Sequence, residues 1–198
     1  MTKITERSKK KQEIIKNYND TSHFYDQRYS QIQEEKFEIL LNNIKLNEKK
    51  ILDAGCGTGL LLDFISNLND YSDMNFHYIG MDISLNMLKI FKSKLSNKST
   101  LWKVNLILAD IEFLPFREKI CDLTFSITAF QNLPSLTLGI KETLRVGKNN
   151  TDFRFSILKK KLKIKELELL LKPVSTNLNL IQKESLEDII FIGKILKV

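Results

Sequence analysis

The sequence predicts an α/β fold: a seven-stranded, mostly parallel sheet closed by an antiparallel C-terminal hairpin, with helices on both faces. Three observations predict it. A short apolar run, Ile51-Leu52-Asp53-Ala54, leads into the glycine-rich turn Gly55-Cys56-Gly57-Thr58-Gly59 and then into Leu60-Leu61-Leu62, which reads as strand, tight turn and helix. Downstream, short apolar runs alternate with segments of helical period, the mark of β-α-β units. The last two apolar runs have no helix between them, so they pair as a hairpin.

Taken in order, residues 1–20 are charged and mostly basic, and are expected to form a flexible, frayed or weakly helical tail ahead of a domain spanning 21–198. The stretch from Asn19 to Ser30 is unusually aromatic. Its tyrosines, with Tyr18 before them, either dock the tail on the core or close over a ligand. From Gln33 to Ile44, the spacing of Phe37, Leu40, Leu41 and Ile44 predicts a helix laid against the sheet. Leu60–Leu68 is a second helix, followed by a polar loop over Asn69–Asn75. Phe76–Asp82 is the next strand, and Ser84 is the N-cap of the helix after it. Val104–Leu108 and Cys121–Ile127 are strands. Ser135 caps a helix through about Arg145, Phe153–Leu158 is a strand, and Ile164–Leu171 is a helix stopped by Pro173. Leu178–Gln182 and Asp188–Leu196 form the closing hairpin.

Composition narrows the function classes. A length of 198 residues, 42% hydrophobic and 28% charged, is that of one ordinary globular domain. No apolar run approaches the roughly 20 residues of a membrane helix, and the basic N-terminus has no apolar core of a secretory signal. Cys56 and Cys121 have no C-x-x-C spacing and read as free thiols in a reducing cytoplasm. The net charge of +7 is concentrated at Lys9-Lys10-Lys11 and Lys159-Lys160-Lys161. Such patches can meet RNA or another polyanionic partner, although a solvated face is the simpler reading. No spaced ligand cluster accompanies His23 or His77, so no metal is expected.

The glycine turn excludes two nucleotide sites. A P-loop needs a Lys after the glycines, and none follows. A dinucleotide loop, G-x-G-x-x-G/A, fits Gly55 and Gly57 but puts its third glycine on Leu60. Asp82, at the carboxyl end of its strand, stands where open α/β sheets bind ligands and where a carboxylate can accept both hydroxyls of a ribose.

Asp53-Ala54-Gly55-Cys56-Gly57-Thr58-Gly59 resembles motif I of the class I S-adenosylmethionine-dependent methyltransferases, whose fold is Rossmann-like. Gly80-Met81-Asp82-Ile83-Ser84 with Met87 is similar to that family's second motif. Ala109-Asp110 with Leu114-Pro115-Phe116 is similar to its third. The resemblance covers about residues 20–198. It implies S-adenosylmethionine as cofactor, with Asp53 orienting the amino-acid end, Asp82 holding the ribose, and Asp110 with the Ile111 backbone reading the adenine. It also places Gly55, Cys56, Gly57, Ile83, Met87 and Ser126 around the cofactor, with Tyr25 or Tyr29 closing over it. One departure is Val146-Gly147-Lys148-Asn149-Asn150, where the family commonly has L-K-P-G-G; this turn is expected to lie away from the cofactor.

The acceptor is less legible. The segment after the fourth strand, Thr128-Ala129-Phe130-Gln131-Asn132-Leu133-Pro134, is not the N/D-P-P-Y/F clamp of many base and glutamine methyltransferases. Gln131 and Asn132 are candidates to hydrogen-bond the acceptor or the cofactor carboxylate, and His23 is a candidate base if the tail folds over the site. Asn132 as a loop cap and His23 as a surface side chain are the plain alternatives. The expected activity is methyl transfer from the sulfonium to a small-molecule, RNA or protein acceptor by in-line displacement. The alternatives are a non-catalytic cofactor-binding partner subunit and a basic RNA-binding module on the same fold.

Overall fold

A computed structural model describes residues 3–68, 75–96 and 102–197. In chain order it runs α1 (Lys3–Thr21), α2 (Tyr25–Leu41), β1 (Lys50–Ala54), α3 (Leu60–Asn67), β2 (His77–Asp82), α4 (Leu85–Leu95), β3 (Lys103–Leu108), β4 (Cys121–Ile127), α5 (Leu136–Val146), β5 (Gly147–Leu158), α6 (Ile164–Leu171), β6 (Ser175–Ile181) and β7 (Asp188–Ile195). The strands form one sheet in the order β3-β2-β1-β4-β5-β7-β6. The first four pairings are parallel, while β7 runs antiparallel between β5 and β6.

Both faces of the sheet are covered, which is why its central strands are apolar without a polar side. Successive residues feed opposite cores. Ile51 and Tyr78 pack with Phe37 and Leu40 of α2, Leu62 of α3 and Phe91 of α4. Leu52 and Ile79 pack with Ile140 and Leu144 of α5 and Leu167 of α6. The helix starts follow the sequence. Ser84 Oγ accepts from the Met87 N–H at 3.2 Å and Ser135 Oγ from the Leu138 N–H at 3.3 Å, each satisfying a first-turn donor. Pro173 sits in a 3-10 turn directly after α6.

Three segments differ from expectation. Residues 1–20 are expected as a flexible, frayed or weakly helical tail, whereas Lys3–Thr21 is one continuous 19-residue helix. Few apolar side chains mark it because charge and polar contacts hold much of it: Arg7 and Lys11 pair with Glu112, and Asn19 meets Ser84 and Asn86. α2 begins at Tyr25, a full two turns before the apolar spacing becomes visible. The turn expected at 147–150 is instead the start of β5, and the β4–β5 register shifts there, from Cys121 opposite Gly147 to Leu123 opposite Asp152. All but Asn75 of the polar loop expected over Asn69–Asn75 lies outside the described residues. Among the described residues no helix is long and apolar enough to cross a membrane.

The sheet order creates the site. β1 has β2 on one side and β4 on the other, so the connections leaving their carboxyl ends diverge and open a crevice there. Gly59 shapes its edge. It is left-handed at φ 83°, and a Cβ would come within 2.4 Å of the buried Phe91 ring. Gly59→Ala is therefore expected to cost on the order of 3 kcal/mol of stability through overpacking and left-handed strain, read as a lower midpoint in urea unfolding.

Candidate active site

Above the carboxyl ends of β1, β2 and β4 lies a cleft of about 630 Å³, roofed by Lys11, Ile14 and Tyr18 of α1. Its floor is the glycine turn. Gly55 and Cys56 donate their N–H groups to the Met81 carbonyl at 2.7 and 3.0 Å, tying the turn to β2. Gly55 has φ 86°, and a Cβ there would lie 2.5 Å from that of Ala129, so only glycine lets the β4 loop come this close. Gly57 donates to Asp82 Oδ2 at 2.9 Å, and Ser84 donates to Asp82 Oδ1 at 2.8 Å. Asp82 is thus fixed in the cleft wall with lone pairs left on both oxygens. Burial raises its carboxyl above the usual range, against the lowering pull of the Ser84, Gly57 and Ile83 N–H groups. Ile83, Met87 and Ile111 supply the apolar part of the wall.

Asp53 is 2% exposed. Tyr78 donates its hydroxyl to Oδ2, while Oδ1 has no partner. Burial pushes the carboxyl up to about 7; the Tyr78 bond works against this and Asp82 adds to it. Beside Asp53, Gln33 of α2 also carries a buried carbonyl oxygen without a partner. The two line a side cavity that shares Tyr25, Gly55 and Gly57 with the main cleft. Two unpaired buried acceptors facing one space call for a donor-rich, cationic group there.

At the other end of the cleft, Asp110 Oδ1 accepts from the Glu112 N–H at 2.9 Å and Oδ2 is paired with Lys11 Nζ. Burial opposes the Lys11 charge, but Asp110 and Glu112 outweigh it and hold the amine above its ordinary range. Asn132 Nδ2 donates to the Tyr18 hydroxyl at 2.7 Å. Burial pushes Tyr18 up to about 12 and Tyr25 higher still, so both are neutral donors at physiological pH.

Beyond Tyr25 a larger cavity of about 1960 Å³ opens between α2 and residues 185–188. Tyr18, Tyr25, Thr128 and Asn132 line both it and the cleft. Tyr29 faces this larger cavity rather than the cleft, its ring tilted 45° against Tyr25 with centroids 4.7 Å apart. Gln131 lines it as well; its Nε2 donates to the Thr128 carbonyl and its Oε1 is buried without a partner. Under this wall, Lys36 Nζ is 3.3 Å from Asp188 Oδ1, and burial pulls the lysine below its usual range despite Asp188.

Most of the sequence-derived site residues converge. Tyr25, Gly55, Gly57, Asp82, Ile83, Met87, Asp110, Ile111 and Asn132 line the cleft, and Asp53 and Cys56 line the side cavity. Four do not join them; Tyr29 and Gln131 line the larger cavity instead. Ser126 is fully buried and donates to the Ala54 carbonyl at 2.9 Å, pinning β4 to β1 instead of facing the cleft. His23 is exposed on the turn between α1 and α2 and lines none of these three cavities, because that turn carries it outward. The Cys56 thiol is pushed well up by burial and by Asp82 and Asp53, so it is no nucleophile. Gln33, Lys36 and Asp188 carry no functional reading from sequence, and Lys11, read there as part of a basic patch, instead roofs the cleft. Gln33 and Lys36 carried a signal all the same: they fall in register with Phe37 and Leu40 on the buried face of α2.

A parallel sheet with an antiparallel β7 inserted between β5 and β6, a glycine turn after β1, and acids closing β2 and opening the β3 loop define the fold of the class I S-adenosylmethionine-dependent methyltransferases. The chain belongs to the family described as Methyltransferase domain (Methyltransf_11), which matches residues 52–155. It is 35% identical over 133 residues to the uncharacterized protein MJ1252 of Methanocaldococcus jannaschii, covering 67% of this chain and 45% of that one. It is 34% identical over 150 residues to a malonyl-[acyl-carrier protein] O-methyltransferase of Marinomonas sp., covering 75% and 52%. The chain thus spans about half the length of these curated relatives. In fold it is similar to magnesium protoporphyrin IX methyltransferase from Synechocystis PCC 6803, solved with bound SAM (TM-score 0.71, 14% identity, 95% and 97% of the two chains). It is likewise similar to a SAM-dependent methyltransferase from Aquifex aeolicus (TM-score 0.66, 16% identity, 90% and 98%).

Proposed function

We propose that this chain transfers a methyl group from S-adenosylmethionine, held in the cleft, to a small acceptor that enters through the larger cavity. The observation that carries the reading is the pair of unpartnered acceptors, Asp53 Oδ1 and Gln33 Oε1, in the side cavity that shares the glycine turn with the cleft, while Asp110 stands in the cleft wall. The former would take the ammonium of the cofactor's amino-acid end. Asp82, fixed by Gly57 and Ser84, would accept the ribose hydroxyls. Asp110 and the Ile111 N–H would meet the adenine edge, with Ile83 and Met87 against its faces. When bound, the cofactor supplies an already activated methyl carbon on a sulfonium. The chain's own part is to orient the partners and exclude water, with α1 and Tyr25 as the cover.

A small acceptor is favoured over RNA because part of the basic charge is spent on contacts within the chain. Lys10 donates to the Leu133 carbonyl, Lys11 is held by Asp110, and Lys159 donates to the carbonyls of Lys183 and Leu186. We assign the chain to the cytoplasm, in keeping with its two free, buried thiols.

Calorimetric titration of S-adenosylmethionine and, separately, NADH tests the cofactor half. Binding of the first with a Kd of about 1–100 μM, some 5–8 kcal/mol, is expected, with none of the second. Binding of NADH alone, or of neither, would sink it.

A further inference from the structure

Thr128 stands at the boundary between the cleft and the larger cavity, and the chain holds it there at a cost. It is β-branched yet sits at φ 53°, in the left-handed region that such side chains avoid. Its N–H is fixed by the Ser156 carbonyl at 2.9 Å. Its hydroxyl is fixed twice. Oγ1 donates to Asp188 Oδ2 at 2.8 Å and accepts from Lys36 Nζ at 2.9 Å. Ser156 Oγ lies 3.3 Å from Thr128 Oγ1 but donates to the same Asp188 oxygen at 2.9 Å, so it offers Thr128 no proton. Lys36, Ser156 and Asp188 are all at least nine-tenths buried.

A hydroxyl has one proton and two lone pairs. Thr128 has committed its proton to Asp188 and one lone pair to Lys36, so toward the cavity it can only accept. Gln131 adds a second such group: its Nε2 is used on the Thr128 carbonyl, which leaves the buried Oε1 as an unpaired acceptor on the same wall. A ligand suited to this wall must bring a proton. A carboxylate brings none and would face Asp188. A protonated amine would stand against the Lys36 ammonium, 2.9 Å from Thr128 Oγ1. A neutral hydroxyl meets neither objection. The rim and walls supply the rest of the description: Phe24 is 69% and Ile32 53% exposed, with Leu158 and Leu186 deeper in the wall. Two large apolar side chains left open at a cavity mouth suit an apolar body.

We propose, resting on the cofactor reading above, that Thr128 is the residue that recognises the nucleophilic hydroxyl of a small, apolar-bodied acceptor, with Lys36 and Asp188 as its positioning residues. The arrangement also separates substrate from product. The acceptor hydroxyl donates to Thr128 Oγ1. As its oxygen bonds the methyl carbon, the sulfonium S–CH3 bond breaks to leave the neutral thioether. The hydroxyl proton passes through Thr128 Oγ1 to the Asp188 carboxylate, which yields it to solvent as the product leaves. The methyl ether has no proton to donate to Thr128 Oγ1. The wall therefore holds the substrate and releases the product.

The test uses the full chain saturated with S-adenosylhomocysteine, whose binding is established first by calorimetry. Failure at that stage would refute the cofactor reading, and with it this one. Ligand-detected NMR then gives dissociation constants for para-cresol, its methyl ether and para-toluate. Para-cresol is expected to bind roughly tenfold more tightly than the ether, the effect of one buried hydrogen bond made or left unmade. Thr128→Ser should keep that preference and Thr128→Val should lose it, with thermal melts confirming that both fold. Asp188→Asn should narrow the preference as well, because it frees Thr128 to turn its proton toward the ether oxygen. With S-adenosylhomocysteine bound, any of three results overturns the proposal: equal binding of cresol and ether to the wild type, tightest binding of toluate, or no cresol binding at millimolar concentration.

Discussion

Asp82→Ala is expected to abolish measurable S-adenosylmethionine binding while leaving the fold intact. In the proposed complex this carboxylate accepts both ribose hydroxyls, and hydrogen bonds to a charged group are worth about 1.5–3 kcal/mol each. Losing both weakens binding by roughly two to four orders of magnitude, enough to carry a micromolar ligand out of calorimetric range. A second effect adds to the first. Asp82 Oδ2 also holds the Gly57 N–H and Oδ1 the Ser84 N–H, so the truncation slackens the glycine turn that forms the cleft floor. Asp82→Asn separates the two contributions. Its amide keeps one accepting oxygen and nearly the same volume, so an intermediate loss is expected. If Asp82→Ala binds within threefold of the wild type while remaining folded by circular dichroism, the ribose is held elsewhere and the cofactor placement is wrong.

The parts of this site that sequence discloses are those dictated by backbone geometry. A positive φ at Gly55 and a tight turn between β1 and α3 can be met by few residue types, so the glycines advertise themselves. The acids at strand ends follow from the same logic, since the carboxyl ends of parallel strands must abut the ligand. Even the strand limits of β4 and the helix limits of α6 could be read, because apolar spacing and Pro173 define them. What could not be read was set by tertiary pairing. α1 has little apolar periodicity, and its position over the cleft depends on Glu112 and Asp110, a hundred residues away. Ser126 fell on a strand leading into the site, yet a one-residue alternation decides which face it takes, and it faces Ala54. Lys36 and Asp188 come from opposite ends of the chain and meet only once β7 is inserted beside β5.

Affinity for S-adenosylmethionine is expected to fall as the pH drops below about 7, and this trend reports Asp53 directly. In the free protein burial holds that carboxyl up to about 7, so in acid it carries a proton. Accepting the cofactor's ammonium requires the carboxylate, and the bound cation draws its pKa down. Binding must then expel a proton at any pH below that of the free group, and each further unit costs up to about tenfold in affinity. Above about 8, deprotonation of an α-amino group lowers affinity again, giving a bell. Asp53→Asn removes the acid limb, because an amide does not titrate, and lowers affinity at pH 7.5. Stability of the free protein runs the other way. The folded pKa lies above the roughly 3.9 of an unfolded aspartate, so the native state binds more protons between about 4 and 7. Its stability contribution from Asp53 is present at low pH and is lost as the pH rises through 7. The same residue should thus make the free chain less stable and the cofactor better bound over one interval. Calorimetric Kd values and urea midpoints measured across pH 5–9 on the wild type and Asp53→Asn read both limbs. A flat affinity profile in the wild type would show that Asp53 is already ionised in the free protein, or that the ammonium binds elsewhere. Opposite slopes in the two measurements, both lost in the variant, would tie the buried, half-partnered carboxylate of β1 to the cofactor's cationic end.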